Sequence, residues 1–213
     1  GLAILDKAGI GRAVVMTREQ EFYAPDAAME HISSLLKKYD RFYGLCPIMP
    51  DCTGDLPPIE AFVISPEFSR FAGFALMPET YRIPKHPLFL REYFEIASAR
   101  RIPVWYHIVS DGDYAYAASV LEAFPELIMM LSFEDEWPNN RRAYPLIKFF
   151  PNTCLLSANM IWMGAYEDFT ERYGAERLIF STRAPVKYPG AAMFDLRKAD
   201  ISESDKQKIA GGN

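Results

Sequence analysis

Histidine and cysteine are scarce in this chain of 213 residues, at three each. Cys46, Cys52 and Cys154 are odd in number and form no C-x-x-C pair, which points to buried reduced thiols rather than disulfides or a zinc knot. No apolar run approaches the ~18 to 20 residues of a membrane span, and no secretory leader is visible at the start. Positive charge forms no cluster. With a formal net charge of -5 and a pI near 5.3, the chain lacks the electrostatic footprint of a nucleic-acid or anionic-membrane binder. There is no glycine-rich phosphate loop after the first apolar run, where Met16-Thr-Arg-Glu-Gln20 stands instead. No G-x-S-x-G surrounds Ser132, Ser157 or Ser181, so a serine nucleophile has no support. The expectation on these grounds is a cytoplasmic protein whose partners are small molecules or other protein chains, with a homo-oligomer possible.

Apolar residues make up 50% of the chain, enough to bury one substantial core, and a single domain over residues 1-213 is expected. Short apolar runs recur at even spacing: Arg12 to Met16, Phe42 to Met49, Phe71 to Met77, Pro103 to Val109, Leu127 to Phe133, Thr153 to Asn159 and Leu178 to Thr182. Each gap holds room for one helix. Continuous runs such as Ile128-Met-Met-Leu131 suit parallel strands covered on both faces. Pro25-Asp26 opens a helix with Ala28, Ile32, Leu35 and Leu36 on one face, and Pro87 to Ala99 sets Leu88, Tyr93, Phe94 and Ala97 similarly. A third helix starts at Pro138 and must stop before Pro151, while Ser202-Glu-Ser-Asp205 opens a last one like a capping box. The pattern predicts a βα repeat, an α/β barrel of the (β/α)8 TIM type with one strand missing.

The stretch Tyr173-Gly-Ala-Glu-Arg-Leu-Ile-Phe-Ser-Thr-Arg-Ala-Pro185 resembles the last barrel strand of the amidohydrolase superfamily, in its branch of small metal-dependent hydrolases and decarboxylases. That family reads roughly Y-G-A-x-R-[LI]-[LI]-F-G-[ST]-D-x-P there, and Arg183 replaces its metal-binding aspartate. Leu2 to Met16 resembles the end of the family's first helix and its second strand, and Ile209-Ala-Gly-Gly-Asn213 its closing I-x-x-x-N, so the chain reads as clipped at both ends. The first-strand H-x-H that supplies two metal ligands in the family occurs nowhere in these residues. Arg101-Ile-Pro-Val-Trp-Tyr-His107 resembles the fifth-strand motif ending in a ligand histidine, which His107 matches. Phe124 to Phe133 resembles the sixth-strand motif, with Phe133 in place of its histidine, and Phe150-Pro-Asn-Thr-Cys-Leu-Leu-Ser157 resembles the seventh.

The resemblance implies a hydrolase acting on a small molecule with its metal ligands largely replaced. No cofactor is predicted; a divalent metal such as zinc would need a rebuilt site from His107, Glu79, Asp111 and the Glu134-Asp-Glu136 cluster. His107 and Arg183 are the candidate catalytic groups, with Glu79, Glu134, Asp135, Glu136, Asn159 and Ser181 as candidate substrate contacts on the rim where the barrel strands end. Arg183 could reach the acidic group after the sixth strand or hold an anionic substrate. His107 could equally be a core histidine, and Trp105, Trp137, Trp162, Tyr106, Phe133 and Met160 read as core and mouth filling. His31 and His86 read as surface residues. A metal-free binder and a catalytically inactive barrel serving as scaffold or subunit remain alternatives.

Overall fold

A computed structural model describes residues 2–21, 24–134, 139–160 and 162–213. Seven strands, β1 (Ala13–Val15), β2 (Phe42–Pro47), β3 (Phe71–Leu76), β4 (Val104–Ile108), β5 (Met129–Phe133), β6 (Thr153–Leu156) and β7 (Leu178–Ile179), follow one another in the sheet in sequence order. The registers from β1 to β4 and from β6 to β7 are parallel. Parallel neighbours in sequence order, each reached through a helical crossover, are the topology of a (β/α)8 barrel, here one strand short. The expected strands are all present, trimmed at their ends. Val104 pairs in register with Phe74; Met49 and Met77 fall beyond the ladders because apolar side chains continue where the hydrogen bonds stop, and Asn159 lies in the 3-10 turn Ser157–Asn159 that follows β6.

The helices are α1 (Leu2–Ala8), α2 (Pro25–Lys38), α3 (Ile59–Val63), α4 (Pro78–Tyr81), α5 (Arg91–Arg100), α6 (Asp111–Ala123), α7 (Asn139–Phe149), α8 (Ala165–Tyr173), α9 (Pro189–Lys198) and α10 (Glu203–Gln207). Among the described residues no helix is long and apolar enough to cross a membrane. Contacts gather the chain into two compact units, Arg12–Met129 on the one hand and Gly1–Gly11 with Met130–Asn213 on the other.

In the unit Arg12–Met129, α2 begins at Pro25, whose missing N–H costs nothing in a first turn, and buries Ala28, Ile32 and Leu36. Leu35 is only half-buried. The expected helix from Pro87 is a 3-10 turn over Pro87–Leu90 followed by α5, so Leu88 lies off the apolar face and is 61% exposed while Tyr93, Phe94 and Ala97 are buried. Gly73 in β3 is a close approach: a Cβ there would lie 2.3 Å from the Pro103 carbonyl oxygen, which receives the Phe74 N–H at 2.9 Å. Arg70, just before β3, donates from Nη2 to the Tyr39 and Phe42 carbonyls at 3.0 and 2.8 Å, at the start of β2, and lies over the Tyr43 ring.

The other unit repeats that device. Arg177, just before β7, donates to the carbonyls of Phe150 at 2.6 Å and Thr153 at 2.8 and 3.0 Å, where β6 starts. Tyr144 meets Phe169 and Tyr173 edge to face between α7 and α8, those two rings are tilted against each other, and α1 packs on α9. The start of α7 expected at Pro138 lies outside the described residues, and the helix carries Pro145 within it. Ser202 caps α10 by accepting the Asp205 N–H at 3.0 Å, as the sequence led us to expect. Asn213 donates to the Ala175 and Leu178 carbonyls, both at 2.8 Å, and Phe180 donates to Ile209, itself 1% exposed.

Candidate active site

His107 comes from β4, where burial alternates along Val104-Trp-Tyr-His-Ile108. Tyr106 points to the helix side, with its ring edge-on to Tyr116 of α6 at 5.9 Å. Alternation therefore turns Trp105 and His107 to the opposite face. Their rings stack there at 5.9 Å and 8° between planes, and both residues are half-buried.

Directly behind His107 stands a network that sequence reasoning missed. Asp113 is buried to 1% and accepts from Tyr106 Oη at 2.5 Å, Ser110 Oγ at 2.8 Å, the Ser110 N–H at 3.0 Å and the Val109 N–H at 3.2 Å. Lys85 Nζ pairs with the same carboxylate at 2.9 Å and with Glu79 on its other side. Burial alone would raise the Asp113 pKa, but the bonds from Tyr106, Lys85, Ser110 and the Val109 amide outweigh it and hold the group below its ordinary range. For Lys85, burial acts downward and its two carboxylate partners prevail, so it is held above the ordinary lysine value. Part of this was readable: Ser110-x-x-Asp113 after an apolar strand is a capping-box signature, and the structure shows both of its reciprocal bonds. Glu79, a candidate substrate contact, is exposed and engaged with Lys85.

The remaining candidates lie in the other unit. Arg183 Nη2 meets Glu134 Oε2 at 2.9 Å, and Arg183 itself has φ 50°, a left-handed conformation uncommon for a long side chain. Glu134 keeps about half of its side chain open to solvent, at 52%. Asn159 is buried; its amide donates to the carbonyls of Phe133 and, at 3.3 Å, Glu134, and its oxygen accepts from Lys187 Nζ at 2.9 Å. It thus ties the ends of β5 and β6 to the loop after β7. Ser181 donates its N–H to Ser157 Oγ at 3.1 Å. Lys187, not foreseen, lies one turn after Arg183, with its N–H on the Arg183 carbonyl at 3.1 Å. Asp135 and Glu136 lie outside the described residues.

At two of the positions where the resemblance implies metal ligands, this chain has Phe133 and Arg183. Phe133, buried to 3%, offers only ring carbon from its side chain, and Arg183 brings a cation with no lone pair. Among the described residues no group of three histidine, cysteine, aspartate or glutamate side chains gathers closely enough to hold an ion.

Neither a protein-family model nor a curated protein matches this sequence. Solved structures do match in fold. An uncharacterised TIM-barrel protein from Bordetella bronchiseptica superposes with a TM-score of 0.76 at 17% identity, over 100% of this chain and 79% of that one. The 5-carboxyvanillate decarboxylase of Sphingomonas paucimobilis gives 0.74 at 16% identity, over 99% and 79%. The 5-carboxyvanillate decarboxylase of Novosphingobium aromaticivorans, complexed with manganese and 4-hydroxy-3-methoxy-5-nitrobenzoic acid, gives 0.69 at 13% identity, over 98% and 76%.

Proposed function

We propose that this chain is a single amidohydrolase-like barrel domain acting on a small organic anion that Arg183 holds; His107, in the unit Arg12–Met129, is read separately as a proton-transferring group. The observation that carries this reading is the Arg183–Glu134 pair at 2.9 Å. A guanidinium placed where the family resemblance puts a metal-binding aspartate already grips a carboxylate, and the planar fork that does so fits a substrate carboxylate equally well. Lys187, in the loop of Arg183, donates to Asn159, and the Ser181 N–H just after β7 is held by Ser157 Oγ. Two of the fold neighbours are named for decarboxylation of a phenolic carboxylic acid, so decarboxylation stands beside hydrolysis as the reaction class.

The test uses chelator-treated protein and 4-hydroxy-3-methoxy-5-nitrobenzoate as probe, with 5-carboxyvanillate and a panel of small esters and amides as trial substrates. Binding that survives the chelator and weakens about tenfold or more in Arg183→Met is the expected result, a loss in keeping with removal of a charge-assisted bond. Binding that requires added manganese, or that ignores Arg183→Met, sinks the proposal. A second reading, a barrel without catalysis, is favoured by the same ion pair if Glu134 occupies Arg183 permanently. Failure of the probe to bind even Glu134→Gln would select it.

A further inference from the structure

Asp113 is a buried carboxylate that the proposed chemistry does not use. An aspartate at the third position of a helix needs only its N-cap partner to complete a capping box. This one has the reciprocal Ser110 bonds and, in addition, Tyr106 Oη, the Val109 N–H and Lys85 Nζ. The partners from β4 and the turn after it, at 106, 109 and 110, bracket position 107. Tyr106 and His107 leave the strand on opposite faces, so a fixed Tyr106 ring on one side and fixed amides just beyond determine the backbone from which the imidazole projects.

From this geometry we infer that Asp113, with Lys85 as its counter-charge, is a positioning residue for His107. The inference rests on the reading of His107 as the proton-transferring group. All five groups that meet the carboxylate are donors, and an ionised carboxylate is the side chain that offers acceptors alone. An Asn of the same shape turns an NH2 onto one of these donors whichever way it flips. A misplacement of about 1 Å in a reacting group can cost on the order of 100-fold in rate, so such a clamp has leverage well beyond its own contacts.

Asp113→Asn tests this in the whole protein, read by the Cε1–H cross-peaks of the histidines. There are only three histidines, so His31 and His86 serve as internal references. The expected result is a folded variant in which the His107 cross-peak moves and the other two stay, with turnover reduced about 10- to 100-fold, the range seen when groups that orient a functional side chain are lost. An unmoved His107 cross-peak in folded Asp113→Asn overturns the inference. Should that variant not fold, Tyr106→Phe, which keeps the ring and removes one bond, decides by the same criterion. A displaced His107 with unaltered turnover upholds the positioning and instead sinks the proton-transfer role given to His107.

Discussion

Two carboxylates, one in each unit, show how differently a charge can be treated. In the unit Arg12–Met129, Asp113 is 1% exposed and satisfied from both oxygens by side-chain and backbone donors. In the other unit, Glu134 is 52% exposed and its described ion pair is to Arg183, itself 26% exposed. A buried charge must be fully paired to persist, and once paired it stiffens whatever it touches. An exposed pair costs little to open, since water replaces either partner. The first arrangement suits a fixed support, and the second a contact that can be exchanged for a ligand.

The sharpest way to break this comparison is to delete the buried member. Asp113→Ala leaves Lys85, Tyr106 and two amides without their acceptor, and a loss of about 3 to 5 kcal/mol in urea unfolding is expected. A loss under about 1 kcal/mol would mean the carboxylate is no support at all. Gly73→Ala asks whether β3 in the same unit tolerates any slack. With its Cβ 2.3 Å from the Pro103 oxygen, it should cost about 1 to 3 kcal/mol.

Acid tests the buried carboxylate without crowding the backbone. Because the Asp113 pKa is lowered in the folded state, its stabilisation is complete above the unfolded aspartate value of about 3.9 and is lost as pH falls through the lower folded value. Urea midpoints measured down the pH scale should therefore drop below about pH 4 in the wild type and drop less steeply in Asp113→Asn. Equal slopes would contradict the assigned direction. The smallest effect belongs to Glu134→Gln, expected within about 0.5 kcal/mol of wild type, as for exposed ion pairs generally. A change above 2 kcal/mol would erase the distinction between the two sites.

Much of the fold was legible because strand runs and helix punctuation are local signals. Seven apolar runs gave seven strands, and Ser202 and Pro25 marked helix starts correctly. Errors arose where pattern and hydrogen bonding part company: Leu88 fits a helical face by spacing but sits in the tighter turn before α5. The contact of Arg183 with Glu134 after Phe133 was legible from a motif resemblance. Lys85 was not. Its partners come from a short helix on one side and the start of α6 on the other, a juxtaposition that exists only once β3 and β4 are paired.

The two clasping arginines carry a consequence for how such a barrel can change. Arg70 and Arg177 each stand just before a strand and fasten onto carbonyls where the preceding strand begins. Slippage of one strand past its neighbour is thus resisted from the end remote from the rim. With alignment anchored there, residues at the opposite ends, Phe133 and Arg183 among them, are free to be rewritten without re-specifying the sheet. The molecule separates what must be kept from what can be tried.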